Sequence, residues 1–359
     1  MSVEYKPDRD YWNVAKGIGI ILIIIGHTCI GWTSNFVYIF HLPLFFFISG
    51  YLYNEKKYGD NPWLNLQNKI KGLWFPYFMI VSFFVLFHNV FLKIGIQTSG
   101  TPHYSMSEIL QRVCEALFGK SDEILAGPVW FLRTLAMAMI IIGFMVFFSR
   151  FIERITGKAL KIAFQAVCVI AMAAVGYLLI LMGIQLQADM QIGFVVMPFI
   201  WTGCLLRNYK GDIMNLLNPI VAILCFIIVG VVSCNNTVDY AMGNEFPYMH
   251  IISLLGIYGC LYVAKLIRRF NVATRVMAFI GELSLYIMFV HFFILRVMDR
   301  IISGRVGDIT KFDRMPVAFI NLWWLYLIIC IPLSILIAAV FKKSADYIGK
   351  SISNTIKNS

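Results

Sequence analysis

Lys16 and His27 stand eleven residues apart, a spacing that on an α-helix returns His27 to nearly the face of Lys16, about 16 Å further along the axis. A neutral imidazole there can take the proton of a weak hydroxyl nucleophile, and a cation on the same face can hold an anion or a developing negative charge. His41 opens the next apolar run, with Pro43 in a first turn where its missing donor would be unpaired anyway. The stretch Gly127-Pro128-Val129-Trp130-Phe131-Leu132-Arg133 carries an arginine a little under two turns into another run. Ser284 and His291, seven residues apart, share one helical face further on. Each has a structural reading as well: a lysine snorkelling to headgroups, a histidine bonded to a carbonyl, an arginine held by carbonyls. Together they form a layer of histidines and an arginine with a lysine beneath, the pattern of a buried reaction chamber or ion path. His88 falls near the middle of a run with no partner evident, and His103 and His250 fall near its outer surface; none of the three is assigned a role.

The elements that position these groups must be membrane helices. The chain has 359 residues, 60% hydrophobic and 14% charged, and a mean hydropathy of +0.77; ordinary globular domains are roughly a quarter charged, so a soluble protein is excluded. Runs such as Ile18 to Ile25 and Ile140 to Phe148 are apolar on every side, which excludes the alternating strands of a transmembrane barrel. The reading is an all-α polytopic integral membrane protein forming one domain over residues 1–359. About ten spans are expected: Tyr11 to Trp32, Phe36 to Tyr53, Leu73 to Gly95, Pro128 to Ser149, Leu160 to Gly183, Ile192 to Leu206, Leu216 to Cys234, Tyr248 to Leu266, Val276 to Val297 and Val317 to Phe341.

An even number puts both termini on one side. The termini and connections on that side hold Lys6, Arg9, Lys56, Lys57, Lys69, Lys71, Arg150, Arg154, Lys158, Lys161, Arg207, Lys210, Lys265, Arg268, Arg269, Arg275, Lys342, Lys343, Lys350 and Lys357, so it is read as cytoplasmic, in the inner (plasma) membrane. The opposite connections near Ser34, near Asp189 and from Asn235 to Glu245 have almost no base, and the longer ones, Gln97 to Gly127 and Met298 to Pro316, mix both signs. The net charge of +11 is thereby explained by topology, with no call for a nucleic-acid partner. Among eight cysteines no pair has metal-ligand spacing, and Cys168, Cys204, Cys225, Cys260 and Cys330 sit in apolar runs as packing residues, so no metal is expected. The polar segment Met1 to Asp10 shows no cleavage site and is read as retained.

Four motifs carry a resemblance. Arg9-Asp10-Tyr11-Trp12-Asn13-Val14-Ala15-Lys16-Gly17-Ile18 leading to Gly26-His27, then Phe40-His41-Leu42-Pro43-Leu44-Phe45-Phe46-Phe47-Ile48-Ser49-Gly50-Tyr51, resembles the start of the acyltransferase-3 family of ten-span bacterial membrane O-acyltransferases. Pro128-Val129-Trp130-Phe131-Leu132 and Gly281-Glu282-Leu283-Ser284-Leu285-Tyr286, ending at His291, continue it in order over most of the chain. The family's basic residue, ten intervening residues and histidine match Lys16 and His27, with lysine replacing the more usual arginine and so offering a point charge instead of a bidentate fork. The arginine pair that precedes the third span in the family is approximated by Lys69-Ile70-Lys71.

The resemblance implies acyl transfer, typically acetyl from acetyl-CoA, to a hydroxyl of an extracytoplasmic or lipid-linked glycan, with partners limited to the bilayer, that acceptor, and envelope-biosynthesis proteins or further copies of the chain. His27 then serves as general base or acyl relay, and Arg133 or His41 stabilises the oxyanion. Lys69, Lys71, Arg268 and Arg269 would meet the phosphates of the donor, although topology alone already accounts for them. Asp10 would pair with Lys16 or orient the donor, or simply favour a helix N-terminus. A transporter of a glycan or lipid-linked sugar is the alternative; it predicts paired broken helices in corresponding halves, which the sequence does not display.

Overall fold

The computed structural model describes residues 7–28, 31–97, 101–121, 123–210, 212–234, 248–303 and 322–358. The expected connection from Asn235 to Glu245, most of that from Met298 to Pro316, and the start of the last span at Val317 lie outside the described residues. Regular structure among the described residues is helical throughout: α1 Arg9–His27, α2 Gly31–Tyr38, α3 His41–Tyr51, α4 Glu55–Tyr58, α5 Pro62–Lys69, a π-helical turn Ile70–Trp74, α6 Phe75–Leu86, α7 His88–Lys93, α8 Met106–Leu117, a 3-10 turn Ile124–Val129, α9 Trp130–Thr156, α10 Lys158–Leu181, α11 Met190–Val195, α12 Met197–Lys210, α13 Pro219–Ser233, α14 Tyr248–Ile267, α15 Asn271–Glu282, α16 Ser284–Ser303 and α17 Trp323–Asn358.

Six segments are long and apolar enough to cross a membrane, from Gly31–Tyr51 (α2 with α3) to Trp323–Tyr347 within α17, and two bent pairs raise the number to eight. The protein is a multi-pass membrane protein. The bends are 59° between α11 and α12 and 75° between α15 and α16, where the sequence gives single spans from Ile192 to Leu206 and from Val276 to Val297. At the first, Pro198 has no N–H for the Phe194 carbonyl, which the Val196 N–H meets instead. At the second no proline intervenes; α15 is held flat against α1, and the chain must turn at Leu283 to climb beside it.

Backbone contact fixes that hold. A Cβ on Gly281 would stand 1.7 Å from the Asn13 carbonyl oxygen, and one on Gly17 2.3 Å from that of Met277. The α3/α12 crossing repeats the device at Gly50, whose Cβ would meet the Ile200 oxygen at 1.9 Å. Small residues here let helices approach to a separation that no other side chain permits.

The third crossing begins earlier than expected. Asn61 accepts the Leu64 N–H and Pro62 occupies the first helical position, so the candidate span is Pro62–Leu86. Lys69 and Lys71 therefore lie within it, not before it. The reverse holds at α16, which continues to Ser303 and takes in Asp299, a residue the sequence leaves to a loop.

His88 acquires partners from the chain following α7. Its Nδ1 faces Glu123 Oε2 at 2.8 Å and its Nε2 faces the Pro102 carbonyl at 3.1 Å, while Gln97 donates to Glu123 and the Tyr104 ring stacks on the imidazole 3.5 Å away. The histidine and glutamate side chains are each 1% exposed. His88→Ala leaves a buried carboxylate short of its principal partner, and a loss of about 3 kcal/mol or more is expected. Thermal unfolding in nanodiscs checks this; an unchanged midpoint would show that the pair contributes nothing.

Candidate active site

The ends of α1 reach two separate polar places. At its C-terminus, the His27 ring lies 5.3 Å from that of His291 on α16 and 6.3 Å from that of Tyr38 on α2, centroid to centroid. Tyr38 in turn meets His41, at the start of α3, at 4.8 Å. Of the expected residues, His27 and His41 thus flank Tyr38, and His291 joins the cluster through His27. Tyr38 escaped the sequence reading, because it ends α2 and meets His41 only across the turn into α3.

The hydrogen bonds fix two tautomers. His291, fully buried, faces the Ile287 carbonyl through Nδ1 at 3.0 Å; a carbonyl only accepts, so Nδ1 carries the proton and Nε2 the lone pair. That Nε2 has no hydrogen-bond partner among the described residues. His41 repeats the arrangement, Nδ1 donating to the Val37 carbonyl at 2.7 Å. In their neutral forms both present a basic nitrogen, and His41 can stabilise an oxyanion only as the imidazolium. Further along α16, Arg296 and Asp299 are fully buried and Asp299 accepts the Tyr326 hydroxyl of α17 at 2.6 Å.

Toward its N-terminus α1 lines a cavity of about 530 Å³ together with α12, α17 and the α15/α16 turn. Arg9, Lys16, Arg207 and Lys342 supply four cations and Glu282 one carboxylate. Arg9 meets Glu282 at 2.8 Å and Lys342 meets it at 3.1 Å; Asn13 donates to Glu282 at 3.3 Å and accepts from Lys16 at 3.3 Å. Lys16 therefore opens to this basic cavity, eleven residues before His27 on the same helix. Arg9, Arg207 and Lys342 were legible only as topological charges, and Glu282 only as a letter in a motif, because nothing local says that four distant segments meet.

The other expected donor ligands lie elsewhere. Lys69 is half-buried and Lys71 exposed in the third crossing, and neither lines the cavity. Arg268 pairs with Asp8 at 2.6 Å, Arg269 is exposed after α14, and Asp10 is exposed in the first turn of α1. Asp8 caps α1 through the Tyr11 N–H; partial burial raises its pKa, but the Arg268 hydrogen bond and charge with that N–H outweigh it and hold the carboxyl below its usual range.

Arg133 is likewise occupied. Its Nε and Nη2 bond Asp189, and Nη1 bonds the Gly119 carbonyl at 2.9 Å and the Tyr77 hydroxyl at 3.2 Å. The pair restrains a strained turn, since Ala188 and Asp189 both have positive φ, 57° and 54°. Asp189→Ala is expected to lower stability by about 3 kcal/mol, and Asp189→Asn, which tolerates that conformation and still accepts, by less. Equal unfolding midpoints for the two variants would remove the ion pair from this account.

The model of a family described as an acyltransferase domain matches residues 9–343, which takes in both polar places and every helix between them. Comparison with curated proteins and with solved structures returned no match.

Proposed function

We propose, from the premise that the chain belongs to the acyltransferase-3 family, that it moves an acyl group, acetyl in the first instance, from cytoplasmic acyl-CoA to a hydroxyl of an extracytoplasmic or lipid-linked glycan, as an O-acetylation step in modifying a cell-envelope polysaccharide. The topology that serves this has ten crossings in the inner membrane, the eight candidates with α1 and α13 added, and both termini in the cytoplasm. Contacts between distant basic connections support one common face: Arg207 reaches the Tyr51 and Tyr53 carbonyls, Lys161 reaches Glu55 and Glu153, and Lys342 reaches Glu282.

The observation that carries the reading is the pairing of His27 with His291 at one end of α1 and a four-cation cavity at the other. The cavity suits the phosphates of coenzyme A, and the flexible pantetheine arm would take the thioester up toward the histidines. Lys69, Lys71, Arg268, Arg269 and Asp10 are then second to Arg9, Lys16, Arg207 and Lys342 as donor contacts. His27 or His291 removes the acceptor proton as its oxygen attacks the thioester carbonyl; the C–S bond breaks as the C–O bond forms, and the imidazolium returns the proton to the departing thiolate. His41 would face the oxyanion in a form already protonated before the acceptor binds, and Arg133 acts by position. An acyl-histidine relay uses the same lone pair of His291 as nucleophile.

Incubating the purified protein with radiolabelled acetyl-CoA and following hydrolysis or transfer tests the reading; a folded, monodisperse protein that neither binds nor consumes short acyl-CoAs defeats it. Glycan or lipid-linked-sugar transport is then the reading to pursue, although both bent helix pairs fall in the second half of the chain and not in corresponding halves.

A further inference from the structure

We propose that Glu282 is a displaceable counter-ion of the basic cavity: it holds Arg9 and Lys342 while the cavity is empty and yields them to the anionic groups of the donor. The proposal rests on the donor reading above and adds to it a built-in competitor.

Glu282 ends α15 at the sharp turn and draws on Arg9 and Asn13 of α1 and Lys342 of α17. The Arg9 side chain is 80% exposed and those of Lys342 and Glu282 33% and 29%. Ion pairs this wet are weak and exchange readily, so they make a poor permanent brace. One carboxylate shared among three donors also leaves the guanidinium fork incompletely used, whereas a phosphate oxygen pair can meet it bidentately. Asn13 links this exchange to the reaction side, because it donates to Glu282 and accepts from Lys16. When Glu282 is displaced, Asn13 loses its acceptor and Lys16 its present geometry, so donor occupancy is transmitted to the cation on the His27 face. A carboxylate in the site also favours multiply charged ligands, which alone outcompete it, over singly charged anions.

The test titrates full-length protein in nanodiscs with coenzyme A and with inorganic pyrophosphate, comparing wild type with Glu282→Gln by calorimetry and checking thermal unfolding of both. Affinity for both probes should rise about three- to tenfold in the variant. Equal or weaker binding of coenzyme A by Glu282→Gln, with wild type binding it, overturns the counter-ion role and leaves the donor reading intact; a lowered unfolding midpoint in that case would identify Glu282 as a structural pin. Tighter pyrophosphate binding with no coenzyme A binding by either protein supports the counter-ion and defeats the acyl-CoA reading. Binding of neither probe defeats both. Should Glu282→Gln not purify folded, Lys342→Gln gives the converse result: affinity falls at least threefold, and unchanged affinity overturns the proposal.

Discussion

His27→Ala is expected to lower acyl transfer by about 10²- to 10⁴-fold, the range that a positioned general base supplies, while the protein stays folded and still binds the donor at the far end of α1. The expectation follows from separation: the His27 side chain belongs to the cluster with Tyr38 and His291, whereas the cavity cations belong to the opposite end of the helix. A fall in turnover without a fall in coenzyme A affinity is the signature; equal losses in both, or in the unfolding midpoint, would make His27 a packing residue. His291→Gln adds a sharper comparison. The amide nearly fills the imidazole's place but offers no comparable base, so a loss equal to that of His27→Ala shows the two rings acting as one unit, and such losses do not add in the double variant. If His291→Gln transfers at the wild-type rate, His27 works alone.

The second large effect is structural. Gly281→Ala is expected to cost at least the upper end of the about 1–3 kcal/mol typical of overpacking, because the new methyl carbon would lie 1.7 Å from the Asn13 oxygen and 2.9 Å from the Gly17 nitrogen. Those atoms are backbone on a packed helix and cannot rotate aside. α1 and α15 must then separate, which also displaces Asn13 and Glu282 from each other. Gly72→Ala is the control, since a Cβ there meets nothing within 4 Å and alanine is the better helix former. Folded yield and unfolding midpoint after extraction should collapse for the first variant and hold for the second; a normal midpoint for Gly281→Ala would mean the crossing is looser than described.

The two positions show how far sequence reasoning reaches. The Lys16/His27 spacing, the apolar runs and the charge bias are local quantities, and each follows from helical periodicity or from the cost of charge in hydrocarbon. They were enough to specify an all-helical membrane protein, most of its helices and three histidines of one cluster, while the family came from the resemblance of its motifs. The histidine layer was legible because similar depth on neighbouring spans is itself a periodic property.

Depth does not say which helix lies next to which. Arg133 shares a depth with the histidines in the sequence reading, yet Asp189 claims it, because a guanidinium inside a bundle goes to the nearest carboxylate and that neighbour is 56 residues away. His88 had no evident partner until the chain after α7 folded back to bring Glu123 beside it. The two bends, both in the second half of the chain, are likewise not evident from local pattern, one depending on a single proline and the other on how closely α15 lies against α1. The sequence by itself determined what each helix carries. Only the tertiary structure decided that Arg9, Lys16, Arg207 and Lys342 share a cavity with Glu282, because glycine-mediated backbone contact, a non-local steric condition, sets the helix crossings that bring these segments together.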